Sequence, residues 1–242
     1  MTAENIKFHA SSRRTYGSPR IFEDLRAAGE TCGVNRVVRL MRQHNIQSKM
    51  ARKFVVTTDS KHTKTPAPDR LKRQFTVARA NQAWVCDTTF IGTREGWLYL
   101  AVVLDLYSRQ VIGWSMGNRN NTQLVSDALM MALWRRGKVK DVIVHSDQGS
   151  TYASGNYQQL LTDNHLICSM SRKGECLDNT MVESFFGTLK TQQTDDEDYR
   201  TRAQARNNIF EYIEVFYNRT RQHSSAGNLA PAEYEQRPVA NL

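Results

Sequence analysis

The strongest constraint on the fold is a change of pattern near residue 81. From there three β-rich runs follow one another, 83–91, 97–106 and 110–116, separated only by 92–96 and 107–109. Links this short join antiparallel neighbours, so the runs predict a meander. The pattern then alternates. A helix over 122–136 carries Leu124, Ala128, Met131 and Leu133 on its apolar side. A strand over 141–146, a helix over 156–163, a strand over 166–169 and helices near 179–192 and 202–218 follow. A meander followed by alternating helices and strands predicts an α/β core, a mixed five-stranded sheet flanked by helices.

The first 80 residues differ in charge as well as in pattern. They hold 17 Lys and Arg against 6 Asp and Glu, whereas the remaining residues hold 16 against 18. The net charge of +9 is therefore an N-terminal property. A basic segment on a near-neutral domain suits nucleic acid, because neutralising phosphates releases counterions. Residues 12–48 predict two short helices, the first capped by Ser18 with Pro19 at its first position and ended by Gly29. The second places Val34, Val37, Val38 and Met41 on one stripe, with Arg36, Arg39 and Arg42 largely on other faces. Two readings fit this pattern: a helix-turn-helix, or a helical hairpin with a solvated basic face. The expected division is 1–58 for this segment, 59–76 for a basic, Pro-containing linker, 77–238 for the core and 239–242 for a tail.

Composition narrows the class. A hydrophobic content of 40% supplies a packed core. No apolar run approaches the roughly 18 residues that span a bilayer, and the N-terminus lacks a secretion-signal pattern. Four cysteines without C-x-x-C spacing argue against a zinc site or disulfide framework and fit a reducing cytosol.

Two acidic residues stand where the sheet would present them. Asp87 interrupts the apolar run Trp84-Val85-Cys86-Asp87, and an unpaired acid there costs several kcal/mol. Asp147 ends the fourth strand, and the carboxyl ends of parallel strands are where ligands gather. If the first and fourth strands are parallel neighbours, about 4.8 Å apart, these two could share an ion. Glu183 has two readings: Thr180-x-x-Glu183 matches a capping box, and a third carboxylate would complete a metal site. Hard oxygen ligands suit Mg²⁺, and two such ions about 3.5–4 Å apart drive in-line phosphoryl transfer.

The residues around these carboxylates resemble a known family. The matching stretches are Trp84-x-x-Asp87-x-Thr89, His145-Ser146-Asp147-x-Gly149-x-x-Tyr152, Ser171-Arg172-x-Gly174, Asp178-Asn179 and Glu183-Ser184-Phe185-Phe186-x-x-Leu189-Lys190. Tyr217-Asn218-x-x-Arg221-x-His223, Pro231-Ala232-Glu233-Tyr234 and Tyr16-Gly17-Ser18-Pro19-Arg20-Ile21 extend the match over nearly the whole chain. The sequence resembles the second-reading-frame transposases of two-frame bacterial insertion sequences, which have a retroviral-integrase-like core. The 35 residues between Asp147 and Glu183 equal the interval in the family's Asp-Asp-Glu signature.

The resemblance implies an RNase H-like fold and Asp87, Asp147 and Glu183 as catalytic and metal-binding residues. It implies two Mg²⁺ or Mn²⁺ ions, 3′-end cleavage and strand transfer of DNA, and a cytoplasmic enzyme associated with the nucleoid when bound to DNA. Expected DNA contacts are Lys190, Arg172, Lys173, Arg221, Arg36 and Arg39. Expected partners are element-end and target DNA, the upstream-frame protein or a fusion with it, and further copies of the chain on DNA, with no membrane. A non-catalytic DNA-binding regulator and an RNase H-like nuclease are the alternatives.

Other constellations receive structural readings. Tyr217, Arg221 and His223 evoke a tyrosine recombinase but leave the carboxylates unexplained. Asp105 closes a strand and is expected to bond Ser108 or Arg109 in the turn. His145 shares a strand face with Asp147 and is expected to pack or to support it. Residues 195–198 lack the glycine and spaced ligands of a calcium loop and predict a solvated turn.

Overall fold

The computed structural model describes residues 2–49, 67–172 and 179–237. Three helices come first: α1 (Thr2–Ser11), α2 (Ser18–Ala27) and α3 (Val34–Gln43). Ile21, Leu25, Val37 and Met41 close their own small core with Tyr16. Helix α1 lies outside the two-helix expectation. Ser18 does not cap α2: Gly17 holds the cap position, Ser18 is the first helical residue, and no side chain accepts from the helix end. In α3 only Val37 and Met41 of the expected stripe are buried, while Val34 is exposed. Arg36 and Arg39 face solvent.

The core is the mixed sheet. Strands β1 (Ala83–Ile91), β2 (Leu98–Asp105) and β3 (Val111–Gly117) form the meander, and β4 (Ile143–Ser146) and β5 (Ile167–Met170) extend it in the order β3-β2-β1-β4-β5. Strands β1 and β2 pair antiparallel, as do β2 and β3, whereas β1–β4 and β4–β5 are parallel. The parallel pairs need crossovers, which α4 (Thr122–Arg136) and α5 (Gly155–Asp163) supply. After β5 come α6 (Thr180–Leu189), α7 (Arg202–Glu211) and α8 (Pro231–Gln236). Helices α6 and α7 continue into π-helical turns, Lys190–Thr194 and Tyr212–Tyr217.

Strand alternation divides the interior in two. Trp84, Cys86, Ala101 and Val103 join Leu124, Val125, Ala128, Leu129 and Ala132 of α4 on one face. Ala83, Val85, Leu100 and Val102 join Val182, Phe185, Phe186, Leu189, Ile209 and Ile213 on the other. Met131 and Leu133 of the expected α4 face are only half-buried, because the inward stripe runs through Leu129 and Ala132.

Part of the expected linker belongs to this core. Leu71 is buried, Phe75 packs against the interior, and the amides of Arg70 and Leu71 donate to Ser169 Oγ of β5 at 2.9 and 3.3 Å. The rest of that segment, through residue 66, lies outside the described residues.

Sheet and α4 touch most closely at Gly113. A Cβ there would sit 2.2 Å from the Ala128 carbonyl oxygen and 2.8 Å from the Ala132 nitrogen, both backbone atoms of α4. Neither can rotate away, so Gly113→Ala must push helix and strand apart. The expected cost is about 3 kcal/mol, at the upper end of overpacking penalties, read as a lowered midpoint in urea unfolding.

Candidate active site

The sheet places Asp87 and Asp147 side by side. Parallel pairing aligns Ala83 with Ile143, Trp84 with Val144 and Val85 with His145. Two more residues along both strands bring Asp87 level with Asp147, at a spacing of about 4.8 Å between strands. Both line one cavity of about 320 Å³ with Thr88, Asn120, Gly149 and Tyr152.

Local contacts fix both carboxylates. The Thr88 amide donates to Asp87 Oδ1 at 2.7 Å, and the Gly149 amide donates to Asp147 Oδ1 at 2.9 Å. A Cβ at 149 would lie 2.9 Å from the same Oδ1, so a larger residue there would displace the Asp147 carboxylate. Behind them His145 is fully buried, with Nδ1 2.9 Å from Ser169 Oγ. Its burial fits the packing role expected of it.

Glu183 comes from the other side. Asp87 shares the strand face of Val85, against which α6 packs. The capping-box reading of Glu183 does not hold. Helix α6 begins at Thr180 with Asn179 as its flanking residue and without a side-chain cap hydrogen bond, so Glu183 stands at the fourth helical position. Asn179 is buried and donates from Nδ2 to the Cys86 carbonyl oxygen at 3.4 Å, tying the start of α6 to the residue before Asp87. The sequence signal for Asn179 was its place in the Asp178-Asn179 motif. Its tethering role needs the fold to be seen.

The electrostatics are those of carboxylates short of positive charge. Burial lifts the Asp87 carboxyl well above the usual range. The Asp147 charge adds to this, the Thr88 amide opposes it, Glu183 adds again and Lys190 opposes. Burial also raises Glu183. Desolvation and like charge both favour protonation, and a cation between these groups would reverse both effects. Among the described residues no set of three His, Cys, Asp or Glu side chains is gathered closely enough to hold an ion as it stands. The chemistry of the donor set, three hard carboxylates on β1, just beyond β4 and on α6, fits Mg²⁺ or Mn²⁺.

The expected DNA contacts separate on the structure. Lys190 opens the π-helical turn after α6, with Nζ 5.4 Å from the centre of the Phe90 ring. Arg172 is exposed just beyond β5, and Lys173 lies outside the described residues. Arg221 lies largely inside the fold, lining a cavity beside α6. It is 6% exposed, donates from Nε to Gln192 Oε1 at 3.1 Å, and has Nη1 3.1 Å from His223 Nε2. Gln192 Oε1 also accepts from the Tyr212 hydroxyl at 2.8 Å, so the network joins the two π-helical turns. Tyr217 is buried and its hydroxyl is pushed up to about 12, chiefly by burial, which removes it as a recombinase nucleophile.

The comparisons with known proteins agree with this geometry. Residues 77–176 and 183–238 match two family models of the integrase core domain, and residues 4–54 match an HTH-like domain. Over the described residues the chain also shares a fold with a chain of the simian T-cell lymphotropic virus intasome in complex with a PP2A regulatory subunit. The TM-score is 0.57 at 14% identity, covering 98% of this chain and 76% of that one. Sheet order, flanking helices and the matched integrase core models thus define an integrase-type α/β protein with an RNase H-like sheet. Among curated relatives, transposase InsF for insertion sequence IS3A of Escherichia coli (strain K12) is 44% identical over 229 residues, 95% of this chain and 80% of that protein. The insertion element IS600 uncharacterized 31 kDa protein of Shigella sonnei is 40% identical over 229 residues, 95% of this chain and 84% of that one. The chain belongs to the IS3 family of insertion-sequence transposases, with an integrase core and an HTH-like domain. No helix among the described residues is long and apolar enough to cross a membrane.

Asp105 is the acid in the sheet that stands apart from this site. It is fully buried and accepts from the amides of Asn81 and Tyr107, each at 2.9 Å, with Arg136 3.6 Å away. The expected bond to Arg109 is made through the backbone, its amide donating to the Asp105 carbonyl oxygen at 2.9 Å. Asp105→Ala should cost roughly 3 kcal/mol, because buried donors lose a charged acceptor. Chemical denaturation measures it.

Proposed function

We propose that this transposase cleaves DNA to free a 3′-hydroxyl and joins that hydroxyl to a second phosphodiester, using Asp87, Asp147 and Glu183 to hold two divalent ions. The observation that carries this reading is that Asp87 and Asp147 line one cavity at the end of the β1–β4 pairing, with Glu183 close enough for its charge to bear on Asp87. Bound ions would polarise the reacting phosphate and lower the pKa of the attacking hydroxyl. Asp87, whose charge feels both Asp147 and Glu183, would serve both ions, with Asp147 holding one and Glu183 the other.

The remaining residues orient and balance charge. Asn179 holds α6 to β1, so the helix carrying Glu183 keeps its place beside Asp87. Gly149 and Thr88 point one oxygen of each aspartate inward. Lys190 supplies positive charge at the rim, where the DNA backbone would approach. Arg172 near the core and Arg36 and Arg39 on α3 are exposed and suited to phosphates. The HTH-like domain supports recognition of element-end DNA, with further copies of the chain and the upstream-frame protein as partners.

Removing one ligand tests the reading. Asp147→Asn should keep the fold and lower Mg²⁺-dependent joining of an element-end oligonucleotide by about 10³-fold or more, roughly 4 kcal/mol of transition-state stabilisation. EDTA should abolish joining by the wild type. Cleavage without joining would indicate a nuclease, and salt-sensitive DNA binding without either reaction would indicate a regulator. Normal joining by Asp147→Asn would refute the site.

A further inference from the structure

A second polar cavity lies against a face of α6 that does not include Glu183. It has a volume of about 160 Å³, and three arginines from distant parts of the chain line it: Arg20 of α2, Arg109 of the β2–β3 turn and Arg221 near the C-terminus. Ser184, Ser224 and Ser225 add hydroxyls, and among the described residues no carboxylate lines it.

The carboxylates nearest these arginines are engaged elsewhere. Asp24 bears on Arg20 but accepts from Gln222 Nε2. Asp105 bears on Arg109 but is bonded by the Asn81 and Tyr107 amides and faces Arg136. His223, in the same cavity, is held neutral. Burial pushes it down to about 3, helped by the charges of Arg221, Arg20 and Arg109 in that order. All three guanidinium groups therefore act on one point.

Arg109 carries the clearest mark of a missing partner. Its Nη2 donates to the Phe75 carbonyl oxygen at 3.2 Å, while its Nη1 is buried without a hydrogen-bond partner. Its backbone holds φ at +63°, a conformation uncommon outside glycine. Buried donors left unsatisfied and like charges gathered in low dielectric both call for an anion. Guanidinium forks match the oxygens of a phosphate in particular.

We propose that this cavity binds a phosphate group, held by Arg20, Arg109 and Arg221. Because Arg20 belongs to the HTH-like domain and the other two to the core, the bound phosphate ties the two together. The Tyr16 hydroxyl, which accepts from the Gln222 amide at 2.8 Å, already makes contact across the same junction. The group can come from a DNA phosphodiester or from free phosphate, which share this chemistry.

The test uses the full chain in EDTA at constant ionic strength, so it is independent of the metal site. Inorganic phosphate is titrated by calorimetry, and duplex DNA binding is followed as a function of salt. The wild type should bind phosphate saturably, with Arg109→Gln and Arg20→Gln each weakening it at least tenfold. Asp147→Asn should bind phosphate like the wild type, which separates failure here from failure of the metal reading. If DNA displaces the phosphate and each arginine variant lowers the slope of log K against log salt by about one, the source is a DNA phosphodiester. If phosphate and DNA bind independently, the source is free phosphate. Absence of phosphate binding together with unchanged salt slopes would overturn the proposal.

Discussion

Parallel pairing of β1 with β4 is the interaction on which the rest of the molecule depends. Its last aligned pair is Val85 with His145, two residues before Asp87 and Asp147, so the register carries both acids to the same end of the sheet. Register in a sheet is a two-valued constraint, since a slip of one residue turns every side chain to the opposite face. Here a slip would move Asp87 from the face packed by α6 to the apolar face packed by α4 and α5. The two cores fix that choice, because Trp84 and Cys86 are buried on one side and Ala83 and Val85 on the other. The stability of the sheet and the geometry of the carboxylates are thus one property.

Most of the architecture could be read from the chain. The β-rich runs and very short links of 83–116 dictate a meander, and the helix over 122–136 appears with those limits. The carboxylates were legible to different degrees. Asp87 and Asp147 stand out because an acid in or just beyond an apolar strand needs a reason. Glu183 had an ordinary explanation as a cap, and only the observed start of α6 at Thr180 removes it. Arg221 illustrates the limit of motif reading. Its motif says nothing of its partners, since Gln192 and His223 are 29 and 2 residues away in sequence and only packing brings all three together. Likewise nothing in local pattern brings Arg20, Arg109 and Arg221 to one cavity.

The helical C-terminal half holds the third carboxylate in place. Helix α6 is tied to β1 through Asn179 and to the last helices through Gln192, which accepts from both Tyr212 and Arg221. Glu183 therefore sits on an element fixed at both ends, while its half-buried side chain keeps room to approach Asp87. On the proposed function, Glu183 would complete the site when a cation arrives. The cost of crowding three acids is then offset by the ion.

Anomalous diffraction from crystals soaked in Mn²⁺ tests the central claim most directly, because it places the ions without reference to activity. The account predicts two peaks about 3.5–4 Å apart, both against Asp87, one also against Asp147 and the other against Glu183. Peaks elsewhere, or a site formed without Glu183, would contradict it.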